Sequence, residues 1–140
     1  MAIPMFLEFV MQQWPLVSAL AVAVLLLIFH ESRRAGATVT PQQLTNLVNQ
    51  QQATVIDLRD QTEFRKGHII DALNIPYAKL GEHMGELEKL QERPVILVCK
   101  LGQYSSAAGK QLMQKGFKQI YRLSGGISEW QAAQLPLIKA

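Results

Sequence analysis

The one cysteine of the 140-residue chain, Cys99, lies in a context typical of a reactive thiol. It directly follows the apolar run Val95–Val98, and the stretch after it, Lys100 to Ser105, contains a glycine. We predict a strand, a tight loop and a helix here. In that arrangement, successive backbone N–H groups and the helix N-terminus stabilise an anion. The pattern favours a thiolate or a persulfide at Cys99 over the alternative, a small buried structural cysteine.

Three residues of this loop suit the stabilisation of an anionic sulfur. Lys100 is a cation next to the thiol in sequence, and a cation beside a cysteine lowers the thiol pKa. Gly102 allows backbone angles that other residues resist. Ser105 can donate a hydroxyl hydrogen bond or cap the following helix.

The composition excludes several other kinds of site. With a single cysteine, neither an intrachain disulfide nor a multi-cysteine metal site can form. His30, His68 and His83 lack zinc-ligand spacing, so we predict no metal site and no cofactor. All 14 basic residues and ten of the 11 acidic ones follow His30, with no run of basic residues longer than two. This mild excess of basic over acidic residues favours a solvated surface, and we predict no nucleic-acid partner.

The first thirty residues are apolar enough to form a membrane anchor. A helix over about residues 9–29 would rise about 31 Å, which matches a hydrocarbon core of about 30 Å. A cleaved signal peptide is an alternative, with Ala35–Ala37 as the cut site, but the region before the apolar core carries Glu8 and no positive charge. A buried helix of a soluble domain is the other alternative. We favour a single transmembrane helix.

Charge around this segment predicts its orientation. Arg33 and Arg34 directly follow it, and no basic residue precedes it. The positive-inside rule then places the N-terminus outside and the remainder in the cytoplasm. We therefore predict a single-pass membrane protein with an N-terminal segment over 1–30, a linker over 31–38 and one domain over 39–140.

Short apolar runs that alternate with helical patterns predict an α/β domain with a mainly parallel sheet flanked by helices. Thr40 and Gln43 form a capping-box pattern that starts a helix ending near Gln51. Strands are predicted at 54–58, 95–98 and 119–123, and a helix at 105–115. Ligands of such sheets bind beyond the carboxyl ends of the strands, where Cys99 falls.

Several motifs together resemble the rhodanese family. They are Val55–Arg59, Glu63-Phe64, Gly67–Ile69, Ala72, Asn74–Pro76, the cysteine loop, and Gly125-Gly126 followed by Trp130. They occur in the family's order and cover nearly the whole chain after the N-terminal segment. The resemblance implies a rhodanese-like fold and a sulfurtransferase activity.

In that family the cysteine attacks a sulfane-sulfur donor, carries the sulfur as a persulfide and passes it to a nucleophilic acceptor. The resemblance therefore implies that Cys99 is the catalytic nucleophile. It implies that the substrate is bound by Lys100, Leu101, Gly102, Gln103, Tyr104 and Ser105. Asp57 and Arg59 resemble the family's pair beside the site, either as an ion pair that holds loops or as catalytic groups. The partners would then be a sulfane-sulfur donor and a thiol or protein acceptor. The N-terminal helix adds the membrane as a partner, and a protein within the membrane is a further candidate.

One departure bears on the substrate. Many active members carry an arginine five residues after the cysteine, and this chain has Tyr104. We therefore expect thiosulfate, an anionic donor, to be used weakly.

The related cysteine-dependent phosphatases need an arginine where this chain has Ser105, so phosphatase activity is not expected. The non-enzymatic alternative is a membrane-tethered rhodanese-like module that binds a partner protein and makes no use of the thiol.

Overall fold

The computed structural model of the protein describes residues 2–139, with the side chains of residue 2 and of residues 31–34 outside the description. The chain divides into two compact units, Met1–Arg33 and Arg34–Ala140. Each is described by itself below.

The first unit consists of two apolar helices, α1 (Ala2–Gln12) and α2 (Trp14–Arg34). They meet at Gln13 with a bend of 87°. Pro15 contributes to this break because it lacks the N–H that would continue the helical hydrogen bonds across it. The continuous helix predicted over about residues 9–29 is therefore wrong. The side chains of Arg33 and Arg34, on which the predicted orientation rests, lie outside the described residues.

Among the described residues, neither helix alone has the length and hydropathy needed to cross a membrane. The segments Ile3–Gln12 and Trp14–His30 reach those limits only when they are counted together as a bent pair.

The second unit contains five strands and five α-helices. In chain order these are β1 (Ala37–Val39), α3 (Pro41–Gln51), β2 (Thr54–Asp57), α4 (Gln61–Lys66), β3 (Leu73–Asn74), α5 (Met84–Leu87), β4 (Val95–Val98), α6 (Ser105–Gln114), β5 (Ile120–Leu123) and α7 (Gly126–Ala132). Two 3₁₀ segments, Tyr77–His83 and Glu88–Leu90, flank α5. The strand order is β1-β5-β4-β2-β3, and every pairing is parallel. The predicted parallel α/β sheet is confirmed.

Local sequence signals account for the start of α3. The Thr40 side chain accepts a hydrogen bond from the Gln43 N–H at 3.2 Å, and the Gln43 side chain accepts one from the Thr40 N–H at 2.9 Å. This reciprocal capping box satisfies two N–H groups that the first turn leaves without helical partners. The helix predicted from this pattern begins and ends where the structure has it.

Strand β1 differs from the sequence analysis, which predicts a linker over 31–38. Its residues pair with β5 in parallel, from Ala37 opposite Tyr121 to Val39 opposite Leu123. Arg122 supports the same edge, because its Nε donates a hydrogen bond to the Gly36 carbonyl at 3.1 Å. The sheet therefore begins within the segment that was predicted to be a linker.

The sheet has a hydrophobic core on each face. One core contains Cys99, residues of β2 and β4, and apolar side chains of α6 and of the Tyr77–Leu90 region. The other contains side chains of α3, α7 and the alternate positions of β2 and β4. All four residues of β4 are buried, as expected for the central strand of a parallel sheet. Covered on both sides, β4 holds the residue that follows it in a fixed position.

Candidate active site

Cys99 lies at the carboxyl edge of the sheet, one residue beyond β4, as the sequence predicts. Its side chain is 1% exposed and belongs to the same core as Leu58, Ile75 and Leu97. The thiol therefore sits at the base of the loop that follows it and has almost no exposed surface.

The loop after Cys99 is attached to α7 by its carbonyl oxygens. The Cys99 carbonyl accepts a hydrogen bond from the Ile127 N–H at 2.8 Å, and the Lys100 carbonyl accepts one from the Ser128 N–H at 3.1 Å. Gly126 makes this close approach possible, because a Cβ there would collide with the Cys99 and Lys100 carbonyl groups. Its φ of +61° is also one that glycine adopts readily.

Within the loop, Gly102 and Ser105 set the turn. Gly102 has a φ of +90°, which disfavours any residue with a side chain. The Ser105 hydroxyl donates a hydrogen bond to the Gly102 carbonyl at 2.9 Å, and this serine is 1% exposed. Ser105 therefore closes the loop at the first residue of α6.

The backbone N–H groups of the loop are left without protein partners. In the part of the chain that the structure describes, none of the N–H groups from Lys100 to Tyr104 donates a hydrogen bond to a protein acceptor. The ten-residue helix α6 begins directly after them, and no side chain caps it. Free N–H groups beside a helix N-terminus are a favourable environment for an anion. The arrangement can hold a charged sulfur attached to Cys99.

Lys100 does not share the surroundings of the thiol. It is exposed and lines a cleft of about 230 Å³ together with Arg59, Gly67, Ser128 and other residues. Neither Cys99 nor Tyr104 lines that cleft. The expectation that Lys100 acts directly on the thiol therefore gains no support from its position.

Asp57 and Arg59 form a buried ion pair that braces the strand ends. The Arg59 guanidinium binds the Asp57 carboxylate through Nε at 3.0 Å and Nη2 at 2.8 Å, and the side chains are 9% and 1% exposed. Nη2 also donates to the Gly67 carbonyl at 2.7 Å. The Asn74 side chain donates to the Asp57 and Arg59 carbonyls. These contacts favour the first of the two predicted roles, an ion pair that holds loops.

His68 takes part in packing rather than in the site. Its ring stacks on Phe64 with 3.7 Å between centroids, and Nδ1 is hydrogen-bonded to the Phe64 carbonyl at 2.8 Å. Its backbone pairs with Ile138. Within residues 2–139, no cluster of three or more His, Cys, Asp or Glu side chains is arranged to hold a metal ion.

The structure adds Tyr77, which the sequence analysis missed, to the surroundings of the loop. Its ring stacks on that of Tyr104, with centroids 5.3 Å apart and planes 19° from parallel. Tyr77 also packs against the core that contains Cys99. The sequence carried one signal for it: Tyr77 follows Pro76 just past a strand, at the edge where ligands bind.

Substitution of Gly126 tests whether α7 fixes the cysteine loop. In Gly126→Ala the added Cβ collides with the Cys99 and Lys100 carbonyls, and the positive φ costs about 1–2 kcal/mol. We expect a thermal midpoint lower by several degrees and an altered rate of Cys99 alkylation. Gly85→Ala is the matched control, because a Cβ there meets nothing within 4 Å. Equal midpoints and alkylation rates in the two variants would contradict the close packing of α7 against the loop.

Comparison with known proteins agrees with this geometry. Residues 40–133 match the family model for the rhodanese-like domain. The uncharacterized protein YibN of Escherichia coli K12 is 36% identical over 122 residues, which cover 86% of this chain and 85% of YibN. The thiosulfate sulfurtransferase GlpE of Coxiella burnetii RSA 493 is 36% identical over 86 residues, 61% of this chain and 78% of GlpE.

Solved structures show the same fold. A rhodanese-related protein from Thermoplasma volcanium superposes with a TM-score of 0.66 at 28% identity, covering 73% of this chain and 97% of its own. The predicted α/β fold with a parallel central sheet flanked by helices is confirmed as rhodanese-like. The chain belongs to the rhodanese-like domain family.

Proposed function

We propose that the protein is a sulfurtransferase that carries sulfane sulfur as a persulfide on Cys99. The Cys99 thiolate attacks the outer sulfur of a donor R–S–SH, a new S–S bond forms, and R–S⁻ leaves with the electron pair of the broken S–S bond. An acceptor thiolate then attacks the outer sulfur of the Cys99 persulfide, takes it and regenerates the Cys99 thiolate. Splitting the transfer in this way needs no metal and no organic cofactor.

The observation that carries this proposal is the set of unpartnered N–H groups from Lys100 to Tyr104. A persulfide on Cys99 extends the side chain by one negatively charged sulfur. Hydrogen bonds to an anion are stronger than those between neutral groups, so free N–H groups favour this charged state over the resting thiol. A cysteine that served packing alone would gain nothing from them.

The relatives support the same reaction class. GlpE of Coxiella burnetii is named a thiosulfate sulfurtransferase, and its match to this chain is 36% identical. Thiosulfate itself is a weaker candidate here. Tyr104 stands where many active members have an arginine, and Lys100 lines a separate cleft. We propose that a persulfide, small or carried by a protein, is the better donor.

The non-enzymatic module stays the second candidate, and the exposed Tyr104 is what favours it. An aromatic side chain that is 48% exposed beside the cysteine loop suits a contact with a partner protein. The two candidates differ in one property, which is whether Cys99 accepts sulfur.

Intact mass of the full chain, reduced and purified in detergent, tests the sulfurtransferase proposal. We expect a small persulfide to add one sulfur atom, little or no gain from thiosulfate, and removal of the added sulfur by cyanide as thiocyanate. Cys99→Ala should gain none, and Gly85→Ala should behave as the wild type. No gain from either donor in folded protein would contradict the proposal and leave the binding module as the better account.

We propose further that the N-terminal unit attaches the protein to a membrane, with the N-terminus outside and the rhodanese-like domain in the cytoplasm. The large apolar side chains from Leu16 to Phe29 are mostly more than half exposed, a costly arrangement in water and a favourable one in lipid. The orientation rests on Arg33 and Arg34. Membrane attachment would also bring the site close to protein partners in the bilayer.

A pair of reporter fusions at Ala140 tests the attachment and its orientation. We expect signal from a reporter active only in the cytoplasm, silence from one active only outside, and the fusion in the membrane fraction after a high-salt wash. Fusions that start at Arg34 provide the control and should leave the membrane fraction. Full-length protein that the salt wash releases would contradict the anchor, and reversed reporter signals would contradict the orientation.

A further inference from the structure

We propose that Tyr77 and Tyr104 form an aromatic recognition surface that selects sulfur donors with an apolar or aromatic group next to the sulfur. This inference rests on the proposed function and deepens it, because it names the chemical class of the donor. The pair is called the tyrosine pair below.

The position of the tyrosine pair connects the thiol to the surface. Tyr77 is half-buried and packs against the core that contains Cys99. Tyr104 stacks on it from the cysteine loop and is 48% exposed. The pair thus extends from the core that holds the thiol to the surface, and the carbon skeleton of a donor whose sulfur reaches Cys99 can lie against the exposed ring.

Tyr104 is held for this role by backbone rather than by side-chain polar contacts. Its carbonyl accepts the Ala108 N–H at 3.0 Å, which fixes it at the start of α6. No described residue forms a hydrogen bond with the hydroxyl of either tyrosine. The stacked rings thus leave one aromatic face and two hydroxyl groups available to a ligand, and aromatic faces bind other apolar groups by offset stacking.

Two other exposed side chains of the loop beside Tyr104 are uncharged. Leu101 is 58% exposed, and Gln103 is exposed and uncharged. The single cation of the loop, Lys100, lines the cleft with Arg59 and Ser128. A small inorganic dianion has no apolar group that could pack against this surface. An organic persulfide R–S–SH has both a transferable sulfur and an apolar R group. Cys99 takes the outer sulfur, and R–S⁻ leaves across the tyrosine pair.

Two donors that carry the same persulfide group and differ only in R test this selection in the full chain in detergent. Benzyl persulfide carries an aromatic group, and 2-hydroxyethyl persulfide carries a small polar one. The rate at which Cys99 gains one sulfur, followed by quenched intact mass, gives a ratio for the two donors. We expect roughly tenfold preference for the benzyl donor, the size of effect that one apolar contact gives in a binding site. Tyr104→Ala and Tyr77→Ala should bring the ratio towards one, and Tyr104→Phe should keep it.

Met113→Ala, which removes an exposed apolar side chain farther along α6, is the matched control and should keep the wild-type ratio. Partition of the benzyl donor into detergent affects all variants alike, so the change between variants is the readout. Tyr104 is exposed, so its Ala variant tests the proposal even where Tyr77→Ala unfolds.

A ratio that Tyr104→Ala leaves unchanged would overturn the inference while sulfur loading itself still stands. Faster gain from thiosulfate than from either organic donor would also overturn it, because the charge of the donor rather than its apolar group would then govern binding. No gain from any donor would instead contradict the proposed function on which the inference rests.

Discussion

Three successive carbonyl oxygens, from the end of β4 to the first residue of the cysteine loop, accept hydrogen bonds from neighbouring segments. Val98 accepts from Leu58, Cys99 from Ile127 and Lys100 from Ser128. The protein thus holds this backbone through its carbonyl oxygens, whereas the N–H groups from Lys100 to Tyr104 donate to no described residue. A backbone held through these three carbonyls, with the following N–H groups free, can bind an anion without any cationic side chain. The proposed chemistry at Cys99 depends on this asymmetry.

Two other features keep the asymmetry in place. Gly126 lets α7 approach closely enough for two of these hydrogen bonds, and Ser105 closes the loop at Gly102. On the other side, the buried pair of Asp57 and Arg59 holds the end of β2, whose neighbour Leu58 bonds to Val98. Removing one partner of a buried ion pair leaves an uncompensated buried charge, so substitution of either residue alone destabilises the fold. Its contribution to the site is indirect, through the strand that positions Cys99.

How far the sequence predicts this molecule depends on how local each feature is. The capping box of Thr40 and Gln43 involves residues three apart, and the helix it starts was predicted with its observed limits. The run Val95–Val98 is buried on both sides, so its apolar composition was sufficient to place the strand and Cys99 after it. The break at Gln13 also has a local cause in Pro15, but the apolar run continues past it, and its length favours the prediction of one continuous helix.

Features that depend on distant contacts were missed or left open. Strand β1 has three residues, too few for a pattern, and it is defined only by its pairing with β5. The role of Asp57 and Arg59 became clear only from Gly67 and Asn74, which no spacing rule connects to them. The stacking of Tyr77 on Tyr104 joins a 3₁₀ segment to the cysteine loop, and only the fold brings them together. Such contacts follow from the sheet order, which local sequence patterns do not reveal.

The central claim, that the N–H groups of the loop hold the outer sulfur of a Cys99 persulfide, is tested most directly by amide NMR of the full chain in detergent. Spectra are compared before loading with a small persulfide, after it, and after cyanide treatment. The account predicts that the N–H resonances of residues 100–104 shift on loading and return with cyanide, while that of Gly85 stays in place. Loading that mass confirms but that leaves those five resonances unmoved would contradict the account.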